Sequence, residues 1–109
     1  MIAQRPSIFI YTKGSDPQYI KQICAGIEEE GVFYEIFEKN SSDVSQLAYD
    51  AANESMMGSG IGVSGDTVAL MMKGVVKGNN VEFYRKASPE ECRRIGANSA
   101  RIIKKMPLK

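Results

Sequence analysis

A chain of 109 residues, 43% hydrophobic and 25% charged, has the size and composition of one ordinary globular domain that can bury a core without metal or disulfide staples. Its formal charge is +1, from 14 Lys/Arg against 13 Asp/Glu, so no chain-wide basic field gathers nucleic acid or an anionic membrane. Histidine is absent, which excludes Ser-His-Asp and Cys-His catalysis, histidine general-base chemistry and imidazole zinc sites.

The opening Met1–Pro6 lacks the apolar stretch of a signal peptide, and no later run approaches the ~18 apolar residues of a membrane span, so a cytoplasmic protein is expected. Ser7–Tyr11 is a short continuous apolar run of β-favouring residues, the pattern of a central strand covered on both faces. Asp16 is a good N-cap with Pro17 at the first helical position. Tyr19, Ile20, Ile23, Cys24 and Ile27 then recur at helical spacing until Gly31 supplies a stop. Val32–Phe37 reads as a second strand, so the first ~30 residues suggest a right-handed parallel βαβ unit.

Asn40–Asp43 is a turn and cap cluster, after which Val44, Leu47, Ala48, Ala51, Ala52 and Ser55 form one helical stripe of mostly small residues, implying close packing. From Gly58 the period changes. Ile61 and Val63 alternate with Gly60, Gly62 and Ser64, Gly65-Asp66 marks a turn and Val68–Met72 resumes the apolar run, which together predict an antiparallel hairpin. Lys73–Asn80 is a polar loop and Val81–Tyr84 a last short strand. Ser88-Pro-Glu-Glu91 is a capping box opening a helix whose stripe runs through Cys92, Ile95, Gly96, Ser99, Ile102, Ile103 and Met106 to a stop at Pro107. The expected architecture is α/β: one three-layer-like domain, residues 1–109, with a mixed β-sheet in βαβαβββα order and helices packed on it.

Cys24 and Cys92 lie on the apolar faces of two predicted helices and read as buried reduced thiols. The loop Thr12–Asp16 leads from a strand into a helix N-terminus, where α/β sheets bind anions, but it carries neither G-x-G-x-x-G nor G-x-x-x-x-G-K-[ST]; a plain turn is expected. Gly58-Ser-Gly-Ile-Gly62 precedes a strand rather than a helix and reads as close backbone packing. Gly96, Ser99 and Ala100 predict a close approach to the last helix, by the sheet. Through Gly58 there are four Lys/Arg against nine Asp/Glu, a balance of −5, and beyond it ten against four, +6. The split reads as two solvated faces of opposite sign or as a dipolar surface that orients a protein partner.

Glu28, Glu29 and Glu30 crowd three carboxylates at a helix C-terminus, where the macrodipole makes each unfavourable by ~0.3–1 kcal/mol. Either solvent screens them or a cation offsets them, whether a metal or a basic partner. One helical turn cannot surround a hard cation with six or more oxygens, so any metal would need ligands from a second chain.

Three segments resemble one family, the small subunit of the reactivating factor for coenzyme B12-dependent glycerol and diol dehydratases. They are Gly26-Ile-Glu-Glu-Glu-Gly31 with Val32-Phe33; Ile61-Gly-Val-Ser-Gly-Asp66; and Asn98-Ser-Ala-Arg101, Lys104 and Met106-Pro-Leu-Lys109, similar to a terminal N-x-A-R-x-x-K-x-[IM]-P-[FL]-[RK]. The loop Lys73-Gly-Val-Val76 departs from the proline often found there. The resemblance implies a non-catalytic subunit that pairs with a large, actin-like ATPase subunit, mimics a dehydratase subunit and exchanges with it so that damaged cobalamin escapes. It implies no cofactor of the chain's own, and Glu29 as ligand to a shared Mg or Ca ion completed by the large subunit. Glu28, Glu30, Arg101 and Lys104 would lie at the partner interface. The location implied is the cytoplasm, with or without a bacterial microcompartment. Two other readings stand beside it: a stand-alone small-molecule or nucleotide-binding domain using the Thr12–Asp16 loop, and a structural subunit of the dehydratase itself.

Overall fold

The structure is a computed structural model that describes residues 6–109; the Met1–Arg5 part of the opening segment read above lies outside the described residues. Strand β1 (Ile8–Lys13) is followed by helix α1 (Pro17–Glu29), β2 (Tyr34–Glu38), α2 (Val44–Glu54), the hairpin β3 (Ser59–Ser64) and β4 (Thr67–Met72), β5 (Glu82–Tyr84) and α3 (Pro89–Lys104). This is the predicted order, and the strands form one mixed sheet ordered β2-β1-β3-β4-β5. β1 pairs in parallel with β2 and β3, while β3/β4 and β4/β5 are antiparallel.

The helices begin where the caps said they would. The Asp16 carboxylate accepts from Gln18 N–H, Asp43 from Ser45 and Gln46 N–H, and Ser88 and Glu91 close a reciprocal capping box. α3 ends at Lys104, ahead of Pro107: Lys105 takes the left-handed conformation, turning the chain away and leaving Met106 38% exposed instead of on the buried stripe.

Two-residue periodicity sorts the sheet's faces. Ile8, Ile10, Ile61, Val63, Val68 and Leu70 point to one side, where Ile23, Cys24 and Ile27 of α1 and Cys92, Ile95 and Ala100 of α3 complete the main core. Tyr11, Ala69 and Met71 point to the other side, under Val44, Leu47, Ala48, Ala51 and Ala52 of α2. β1 is thus central and covered on both faces, as its continuous apolar run required. The glycines of β3 explain the small residues of α2: a Cβ on Gly60 would lie 2.1 Å from Ala52 N, and one on Gly62 2.6 Å from Ala48 N. Both cysteines are free and buried, and burial pushes the Cys92 thiol up to about 11.

A different contact replaces the one expected at Gly96. Its missing side chain admits α1, not the sheet: a Cβ there would sit 2.0 Å from Ile23 O, and one on Gly26 would sit 2.1 Å from Arg93 O. The sheet instead reaches α3 one turn later, where the Ser59 hydroxyl donates to Ser99 O at 2.8 Å. The two glycines let α1 and α3 cross backbone against backbone, which sets up the charged cluster at the end of α1.

Candidate partner interface at the end of helix α1

The three consecutive carboxylates that close α1 diverge at the ~100° helical spacing, and each meets a different partner. Glu28 accepts from the Tyr34 hydroxyl at 3.0 Å. Glu29 Oε2 accepts from Arg93 Nε at 3.1 Å and Nη2 at 2.6 Å, with both side chains about half exposed. Glu30, its side chain only 10% exposed, accepts from Arg101 Nε at 3.2 Å and faces Lys104 Nζ at 3.4 Å. The same ammonium donates to the Glu30 carbonyl at 2.9 Å, satisfying one of the acceptors that a helix end leaves over. The cations that offset the α1 terminus therefore come from α3 of the same chain. Arg101 and Lys104, placed at a partner interface from sequence, turn inward onto Glu30.

The C-terminal motif is a latch built on the same cluster. Arg101 Nη1 donates to Pro107 O at 3.0 Å, and Lys109 N–H donates to the buried Asn98 Oδ1 at 2.8 Å. Asn98 Nδ2 donates in turn to Glu82 Oε2 at 2.7 Å, tying α3 to β5. The folded-back tail and α3 frame an open cleft lined by Glu29, Glu90, Arg93, Arg94 and Lys109. Sequence reasoning named Glu28–Glu30, Arg101 and Lys104 but missed Arg93, whose signal was its place on one helical stripe with Ala97, Arg101 and Lys104.

Burial alone would raise the Glu30 pKa; hydrogen bonds from Lys104 and Arg101 outweigh it and hold the carboxyl below its ordinary range. Glu38 is lowered by the Thr12 hydroxyl and the Gly14 N–H. A depressed carboxyl adds stability above its unfolded value, about 4.3, and loses it as pH falls through the folded value. The thermal midpoint should therefore drop between about pH 5 and 3, and Glu30→Gln should flatten that drop in scanning calorimetry at stepped pH.

The βα loop presents no anion cradle. Its Gly14 N–H and Thr12 hydroxyl are directed to the Glu38 carboxylate, at 3.4 and 2.7 Å, while the Asp16 carboxylate occupies the N-terminus of α1. An incoming phosphate would meet two fixed negative charges there. Among the described residues no group of three or more Asp, Glu and Cys side chains converges to hold a metal ion. Nor is any helix among the described residues long and apolar enough to cross a membrane.

This three-helix, five-stranded domain is of the kind described as the dehydratase medium subunit, whose family model matches residues 5–109. The chain is 30% identical over 105 residues to the propanediol dehydratase-reactivating factor small subunit of Citrobacter freundii, spanning 95% of this chain and 90% of that one. It belongs to the family of dehydratase-reactivating factor small subunits, within the dehydratase medium subunit family. Its fold superposes on a chain of the diol dehydratase-reactivating factor solved with ADP and Mg2+, with a TM-score of 0.87 at 24% identity over 97% of this chain and 99% of that one. A glycerol dehydratase reactivase chain matches with a TM-score of 0.85 at 26% identity, over 96% and 97%.

Proposed function

We propose that the chain is the small, non-catalytic subunit of a factor that reactivates a coenzyme B12-dependent glycerol or diol dehydratase. It pairs with a large ATPase subunit and, by its likeness to a dehydratase subunit, exchanges with inactivated enzyme in the cytoplasm so that damaged cobalamin leaves. The observation that carries this is end-to-end likeness: a reactivating-factor small subunit aligns over nine-tenths of both chains. The absence of histidine and the anionic βα loop support a division of labour in which nucleotide chemistry belongs to the partner. The test is co-expression with the large subunit. A stable heteromer that restores turnover of a glycerol-inactivated dehydratase only in the presence of ATP is expected. ADP binding or ATPase activity by the purified small chain, abolished by a point change in it, would overturn the reading.

Within that reading Glu29 gives one carboxylate oxygen to a Mg2+ or Ca2+ ion whose other ligands lie on the large subunit. Its half-exposed position beside an open cleft supports this, and the Arg93 pair keeps the carboxylate extended before assembly. Glu29→Gln should weaken assembly at least tenfold with Mg2+ present and remove its sensitivity to chelator, leaving the fold of the isolated chain intact, while Glu28→Gln does little. If Glu29 served only to position Arg93, Arg93→Gln would reproduce the loss and the wild type would ignore chelator; isothermal titration with and without EDTA separates the two.

A further inference from the structure

The sheet ends differently on its two sides. β5 is three residues long, and its Glu82 and Tyr84 side chains are held by Asn98 and Arg94 of α3. β2 is five residues long, contains neither proline nor lysine, and among the described residues has no strand beyond it. Edge strands usually carry such blunting features because their free backbone groups invite pairing.

The direction of those groups can be read from the ladder. Phe33 O accepts from Ile8 N–H and Lys39 N–H donates to Thr12 O, so residues 33 and 39 face β1. In a parallel strand the N–H and C=O of one residue point to the same side and alternate along the chain, so Glu35 and Phe37 also face β1 while Tyr34, Ile36 and Glu38 face outward. Among the described residues, three N–H and three C=O groups thus form an open rung. Ile36, 46% exposed, stands at its centre.

Charge selects what can pair there. Glu35 is exposed on the α2 side of the strand, and Glu38, held below its ordinary pKa, on the other; Glu28 stands beside Tyr34. The cation nearest in sequence, Lys39, is drawn over the Tyr11 ring, 4.2 Å from its centroid. In a second copy paired antiparallel about Ile36, Glu35 would lie opposite Phe37 and Glu38 opposite Tyr34, so neither carboxylate would meet a cation there. We propose that β2 is a strand-addition site for an extended segment of the large subunit in which an apolar residue covers Ile36 and flanking Lys or Arg residues meet Glu35 and Glu38. The proposal rests on the subunit reading above and adds a surface distinct from the Glu29 corner.

The experiment follows single amides by NMR exchange on the isotope-labelled chain, free and in complex with the large subunit. In the free chain Glu35, Phe37 and Lys39 amides should exchange slowly and Tyr34, Ile36 and Glu38 quickly; in the complex the latter three should slow at least tenfold. Ile36→Pro deletes an outward N–H and no bond to β1, so it should keep the thermal midpoint within a few degrees and weaken assembly tenfold or more. Glu35→Lys should weaken it about fivefold and lessen its salt dependence. A complex that forms with the three amides still exchanging quickly would overturn strand addition and leave the subunit reading standing. Failure to form any complex would overturn both. Protection that grows with the concentration of the chain alone would assign the edge to a second copy instead.

Discussion

Gly96→Ala should destabilise the chain by roughly 3 kcal/mol, near the upper end of what overpacking costs. The sign is the informative part, because an alanine in place of glycine in a helix interior ordinarily stabilises by up to ~1 kcal/mol. Here the added methyl would lie 2.0 Å from Ile23 O, a backbone atom that no rotamer change can move aside. The helices would have to separate, loosening Glu29–Arg93 and Glu30–Arg101 with them. Gly26→Ala should act in the same way, since its methyl would meet Arg93 O. The double variant should cost less than the sum, because once one methyl has parted the helices the second finds space. Urea denaturation of the four proteins measures this; two independent, additive losses would show that the glycines do not share one crossing.

Ile95→Ala should cost about 2–5 kcal/mol by a different mechanism. Ile95 is fully buried, on the side of α3 that joins Ile8, Ile10, Ile61 and Leu70 in the main core, and its truncation leaves a cavity. For a domain of this size such a loss lowers the thermal midpoint by on the order of 10 °C or more. Ile102→Ala and Ile103→Ala, at half-buried positions of the same helix, should each cost clearly less. Equal costs at the three positions would mean that α3 is rotated about its axis from the arrangement described here.

Those adjacent residues show what could be read from the sequence. Ile95 announced its burial through helical periodicity, as did the strands through their apolar runs and the helix starts through Asp16, Asp43 and Ser88. Gly96 announced only that something comes close. A glycine carries no record of which surface fills its space, and the expectation of the sheet was wrong because α1, distant in sequence, arrives there first. The candidate site was legible to the same degree. The macrodipole argument left Glu28–Glu30 either screened by solvent or offset by a cation; it could not say that Arg93 would meet Glu29 and Arg101 and Lys104 would meet Glu30, since charge balance is local in space and not along the chain. The boundary at Lys105 was missed for a related reason: the left-handed turn there is accompanied by tail contacts from Arg101 and Asn98 that periodicity does not register.

The central pairing of β1 with β3 has a consequence for how the molecule comes into being. The partners Ile10 and Ile61 belong to opposite halves of the chain, whereas β3 and β4 are joined by a two-residue turn at Gly65-Asp66. The hairpin can close within microseconds, but the β1–β3 ladder must first meet the entropy of a long loop. On the ribosome, β1, α1, β2 and α2 emerge before either Gly60 or Gly62 exists to receive the apolar face of α2. For those seconds the nascent half-sheet presents two open edges and an uncovered helix face, so synthesis and not the finished fold is the stage at which this protein is most exposed to aggregation.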